Sequence, residues 1–321
     1  MHQFHESHPA FSGFSKYYHQ EILPQLVAWE ENRTHKKFWA IPCLTLSTIL
    51  CATLLYWTLT TPSKLNTYFA VAIAAVTNPL FVYRFFFSKF KSDVKDFLVS
   101  QVCSFTGLKY LRKSGARPPI STFKTLGIFP SSYRFEGCED HIKGSFRGIS
   151  FQAVEAHGET GRRDYPKKHT SMTFKFDLPH VTEGELVVLR KGDRKPANQL
   201  KLKTIGFAAP PFSHLFEVYG SDQVMSRFLL HPIFLERILY VEKVIDGTNA
   251  RFSFTGQTLW ICVETANRFE QGSMWTSFLH PRRTQFLIWE VASILHIVDG
   301  LVDLLQRPGR LVPQKANITK V

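Results

Sequence analysis

Glu155 and His157 stand two residues apart in an alternating stretch, a spacing that puts both on one face of a β-strand. A carboxylate beside an imidazole suits general acid–base chemistry, and Asp140-His141 upstream offers a third group. The simpler alternative is a strand edge whose charges pair with Arg147, Arg162 or Arg163. A second constellation gathers Tyr219, Ser221, Asp222 and Arg227 within nine residues. There, Ser221 as the cap of a helix starting at Asp222, with an ion pair to Arg227, competes with a binding role. His2, His5 and His8 have a spacing that could ligate a metal, but no acid or cysteine supports them. A frayed terminal tail with no metal is expected. The sequence holds no GxSxG, P-loop or HExxH motif, and no GxGxxG between a strand and a helix, so no cofactor is expected.

These residues depend for their position on a chain organised around two uncharged apolar runs, Phe38 to Leu59 and Leu65 to Tyr83. Each is close to the roughly 20 helical residues that cross a bilayer's hydrocarbon core. Trp39 and Trp57 would lie about 27 Å apart along a helix, so both can sit at headgroup level. Only Thr60-Thr61-Pro62-Ser63-Lys64 separates the runs, which predicts a helical hairpin in a membrane. Ahead of it, residues 10–31 predict an interfacial or packing helix that Pro24 kinks or divides. A cleaved signal is not expected, because the apolar run starts late, is too long and lacks a small-residue cleavage site.

Charge fixes the orientation. The 321 residues carry a formal net charge of +13. Cations flank the outer ends of both runs, and Lys36, Lys37, Arg84, Lys89, Lys91 and Lys95 are the expected contacts with anionic lipid. The positive-inside rule then places both termini in the cytoplasm and Lys64 on the far side. Nucleic acid is not an expected partner, since the basic residues are juxtamembrane and without interleaved aromatics. Five widely spaced cysteines form no disulfide framework or zinc pattern, which fits a reducing compartment. Mean hydropathy of -0.09 confines the lipid-embedded part to the early chain.

Beyond a basic helix and linker the pattern becomes mixed. Strand pieces are expected at 133–136, 145–147 and 149–156, a half-buried strand at 172–177, and another at 185–190. His157–Thr170 is expected as an exposed loop. Arg251–Thr255 and Thr258–Glu264 flank Gly256-Gln257, which predicts a hairpin with a II′ turn. Helices are expected at 222–230 and 232–244, and an amphipathic one at 284–305 packs on the sheet, not through the bilayer. The fold class is α+β: a two-helix transmembrane hairpin followed by a soluble, mainly antiparallel sheet domain with packed helices. The domains are 1–37 (cytoplasmic or interfacial helix), 38–87 (hairpin), 88–119 (basic helix and linker), 120–307 (α+β domain) and 308–321 (tail).

Phe216-Glu217-Val218-Tyr219-Gly220-Ser221-Asp222-Gln223-Val224, continuing Arg227-Phe228-Leu229-Leu230-His231-Pro232, resembles the signature stretch of the bacterial DUF3137 family. Pro130-Ser131-Ser132-Tyr133, Glu139–Gly144 and Phe151–Glu155 are similar to that family's earlier motif, and two helices ahead of the domain match its layout. The resemblance implies a bacterial membrane protein and supplies no mechanism; with the cytoplasmic termini read from charge, the inner membrane is the expected location. Such genes often neighbour those of the LemA family, which implies a membrane-associated protein partner. The expectation is a membrane-anchored cytoplasmic module that binds protein or lipid. The alternative is a tethered hydrolase or transferase using Asp140, Glu155 and His157; the third is a component of an oligomeric transporter.

Overall fold

Strand β4 (Lys167–Arg190) is the axis of the sheet. In the computed structural model, which describes residues 3–60, 65–113, 115–270, 272–273 and 275–305, its first half pairs with β3 (Ile149–Thr160) and β7 (Thr248–Glu264). Its second half pairs with β7 and β6 (Phe216–Gly220). Strands β1 (Lys109–Leu111) and β2 (Arg134–Phe146) extend the sheet beyond β3, and β5 (Lys203–Thr204) closes the other edge. Every pairing is antiparallel. His2, the turn residues Thr61 to Lys64, Ser114 of the linker and the 308–321 tail lie outside the described residues.

The chain divides into two compact units. The helical unit comprises Met1–His5, Gly13–Gln101 and Glu270–Phe286. It holds α1 (Phe14–Tyr17), a π-helical turn at Tyr18–Ile22, α2 (Leu23–Thr60) and most of α3 (Leu65–Phe105). Pro24 does not divide the helix as expected. The helix runs on through Pro24, with the π-helical turn at Tyr18–Ile22 immediately before it as the local distortion. Segment 270–286 completes this unit. Phe278 is buried against Phe90, and Arg33 and Arg283 lie over its ring. Glu30 binds both the Arg33 guanidinium and the Phe278 N–H, at 2.9 Å in each case.

The sheet unit comprises Glu6–Ser12, Val102–Phe269 and Leu287–Val321. The last turn of α3, from Val102 on, ends at Gly107, where the Leu108 N–H reaches the Cys103 carbonyl at 2.9 Å. Helices α4 (Ile120–Leu126), α5 (Phe212–Leu215), α6 (Gln223–Leu229), α7 (Pro232–Val244) and α8 (Pro281–Leu305) accompany the sheet. Helices α7 and α8 meet over β7, where Ile238, Phe252, Ile261 and Leu301 line a small apolar gap. A second core joins Phe123, Phe129, Tyr133, Val187, Leu189, Tyr219 and Cys262. Both faces of the sheet are therefore covered. The stretch 172–177 keeps its half-buried alternation at Phe174–Asp177, where Lys175 is partly open and Asp177 exposed, but Thr173 is as enclosed as Met172 and Phe174.

Three local expectations are corrected. Residues 134–146 form one strand, joined to β3 by a tight turn at Arg147-Gly148 with φ of 48° and 80°, the left-handed pair that twists with its strands. Most of 157–170 is strand, so the expected loop shrinks to the few residues between Thr160 and Lys167. Residues 251–264 form no hairpin: Gly256, at φ 58°, sits where β7 shifts register against β4, and the strand runs on.

Candidate functional site

Glu139 on β2 and Glu155 on β3 are directly opposed in the ladder, and His157 follows on the same face of β3. His157 Nε2 lies 2.9 Å from Glu139 Oε1 and 3.5 Å from Glu155 Oε1. Glu155 is 0% exposed, whereas Glu139 and His157 are partly open to solvent. The second Glu155 oxygen accepts the Arg268 backbone N–H at 3.1 Å. His157 Nδ1 faces the Thr170 hydroxyl at 3.3 Å. Burial pushes the Glu155 carboxyl up to about 8, against the Arg268 N–H and His157, which lower it. The neighbouring Glu139 carboxylate raises the His157 pKa, with burial opposing.

Asp140 is brought to the same end of the sheet but is committed elsewhere. It lies in the β2 bulge at φ 52°, is fully buried, and accepts the Tyr110 hydroxyl at 2.6 Å. His141 is buried beside it, and burial lowers its pKa. The arginines expected to pair with this edge do not. Arg147 binds Asp299 at 2.9 Å, and Arg162 and Arg163 are exposed beyond β3. The nearby cation is Arg268, whose guanidinium is held by Glu290, Ser293 at 3.1 Å and the Ile245 carbonyl. Sequence spacing offered no signal for Arg268, which lies 113 residues from Glu155. Glu139 was within reach only once the β2–β3 register was known.

The four residues of the second constellation make separate contacts. Asp222, not Ser221, caps α6: its Oδ1 accepts the Met225 N–H at 2.6 Å. The Ser221 hydroxyl instead accepts the Glu185 N–H at 2.9 Å, tying β6 to β4. The Tyr219 hydroxyl donates to Glu217 at 2.5 Å and its ring lies in the core. Arg227 donates to the Gly206 carbonyl at 3.2 Å and lies over the Phe207 ring.

Among the expected lipid contacts, Arg84 and Lys89 are exposed. Lys91 pairs with Glu270 at 2.9 Å, and Lys95 is buried at 3.7 Å from the same carboxylate. Lys36 covers the Phe90 ring, and Lys37 covers Trp275 while donating to its carbonyl at 3.0 Å. His8 is not in a frayed tail. It is buried, its Nδ1 accepts the Ala10 N–H at 3.0 Å, and its Nε2–H donates to Asp299 at 2.8 Å.

Fold and site together define a mixed α/β protein with an antiparallel sheet, an N-terminal long apolar helix and a carboxylate–histidine cluster at the β2–β3 ladder. Over residues 170–302 the chain matches the family described as "Protein of unknown function (DUF3137)". The resemblance seen in Phe216–Pro232 thus holds, while the motif at 130–155 lies ahead of the matched residues. No curated protein matches. Among solved structures, the mycobacterial trehalose monomycolate transport factor A, TtfA, aligns at 11% identity over 63% of this chain and 95% of that one. Its TM-score of 0.31 is too low to carry an argument.

Proposed function

We propose that the chain is a membrane-anchored interaction module of the bacterial inner membrane, whose sheet unit binds a protein or lipid partner at the cytoplasmic surface. One observation carries this reading. On α2 a band of large apolar side chains is exposed from Phe38 to Leu59, including Trp39 at 53% and Leu46 at 70%. Only 6% of the most apolar window of the helix running through Pro9–Thr60 is buried, against 67% of that in Pro281–Val302. The second value is that of a core helix, and the first calls for lipid.

The apolar run in α3 supplies the second span of a hairpin in this reading, and its cationic flank orients both termini inward. Several α3 side chains between Leu65 and Tyr83 lie outside the described residues. The test is retention of the full-length chain in bacterial membranes after alkaline carbonate washing, together with a periplasm-dependent reporter fused after Val321. Retention with a silent reporter is expected. Release into the wash would overturn the anchor, and an active reporter would overturn the orientation.

A tethered hydrolase or transferase is the second reading, favoured by the convergence of Glu155 and His157. Asp140, held by Tyr110, is not available to it as a free base. The two clefts described in the sheet unit, over β7 and beside His169–Thr170, are lined by none of the three.

A further inference from the structure

We infer that Glu139, Glu155 and His157 form a binding site for a divalent transition-metal ion of the zinc or manganese class, with one coordination position open to solvent. The three ligand atoms lie within 4.8 Å of one another. A tetrahedral ion with bonds of about 2.0–2.1 Å separates its ligands by roughly 3.3 Å. The observed separations of 2.9 and 3.5 Å from His157 Nε2 bracket that value. Two carboxylate oxygens and one imidazole nitrogen suit zinc or manganese, and three protein ligands leave a fourth position for water. The partial exposure of Glu139 and His157 gives that position its access, with Glu155 as the floor.

Two further observations point to a cation. Glu155 Oε1 is buried without a hydrogen-bond partner, although it converges with Glu139 Oε1 and His157 Nε2 on the same spot. Such an atom is costly to enclose unless something else satisfies it. Glu139 also faces Glu155 directly across the ladder, so a bound cation would offset the cost of ionising both carboxyls together. Arg268 does not supply that charge, since its guanidinium is occupied by Glu290, Ser293 and Ile245 and only its backbone N–H reaches Glu155.

The outer contacts fit as well. The Arg268 N–H orients one ligand and the Thr170 hydroxyl another, the second layer that ligating carboxylates and imidazoles normally have. The other cluster of this kind among the described residues, His8, His296 and Asp299, lacks these properties. There His8 Nε2–H already donates to Asp299, Arg147 neutralises the same carboxylate, and His296 Nε2 donates to the Ser7 carbonyl.

The site is independent of the anchoring reading. The experiment takes the untagged full-length chain in mild detergent, stripped with a chelator, and titrates it with zinc or manganese chloride by calorimetry. One saturable equivalent of at least one ion is expected. His157→Gln and Glu139→Gln, both at partly open positions, should each weaken it at least tenfold while their metal-free melts match the parent. Should either lose its fold, Glu155→Gln, an uncharged near-isostere, carries the comparison. No saturable binding of either ion would overturn the site. Unchanged affinity in folded variants would also overturn it, by locating the ion elsewhere, such as at the N-terminal histidines.

Discussion

At Asp222 a carboxylate oxygen accepts the Met225 amide, so removing the side chain and neutralising it are different experiments. Asp222→Ala should lower stability by about 1 kcal/mol, the usual loss of a helix cap. Asp222→Asn keeps an acceptor of similar rank and should leave the thermal melt close to the parent. Loss of partner capture in the Asn variant would then report a binding role, free of any folding defect. Ser221→Ala should also lower the melt, because the Glu185 N–H loses its acceptor. Glu30 shows the same logic for charge. Burial works to raise its pKa, but Arg33, the Phe278 N–H and Ser277 outweigh it and hold the group at about 2. A depressed carboxylate stabilises the fold above its unfolded value of about 4.5 and loses that contribution as pH falls toward about 2. Acid unfolding followed by circular dichroism should show this loss in the parent, and Glu30→Gln should flatten it.

At the level of elements, the close passage of β3 over Tyr133 is the most sensitive point. A Cβ on Gly158 would lie 2.6 Å from the Tyr133 ring and 2.5 Å from the Arg134 carbonyl. Gly158→Ala should therefore destabilise the sheet by about 1–3 kcal/mol, measured by chemical denaturation in detergent. The strands themselves were legible as alternating runs, and helices α6, α7 and α8 were legible from capping residues and periodicity. What alternation could not reveal was continuity. Gly137, Gly144 and Gly256 look like breaks, yet long strands pass through all three because residues before and after each glycine keep their ladder pairs. The candidate site was legible in the same partial way. The period of two joins Glu155 to His157, but Glu139 enters only through the register set by the Arg147-Gly148 turn and the bulge at Asp140. Asp222's capping role was hidden by one residue of helix boundary.

For the whole molecule, the anchoring reading gives a quantitative expectation. Leu46 and Ile49 are exposed near the middle of the apolar band. An arginine near a membrane helix's centre costs about 2.5–3.5 kcal/mol on insertion scales. Leu46→Arg with Ile49→Arg should shift much of the chain into the carbonate-soluble fraction, whereas the same pair of changes would leave a merely peripheral protein distributed as before. The orientation expected from charge patterning depends only on local composition, and the reporter fusion after Val321 is its test. The composite helical unit was not legible, because Glu270–Phe286 is separated from Gln101 by the entire sheet sequence.

That separation has a consequence in time. The residues through Gln101 leave the ribosome long before segment 270–286, by roughly ten to thirty seconds at about 5–20 residues per second. During that interval Arg33, Glu30 and Lys91 are already synthesised, while Phe278 and Glu270, which cover or pair with them, are not. Most of the helical unit is thus made before the sheet strands, yet it is completed only after them.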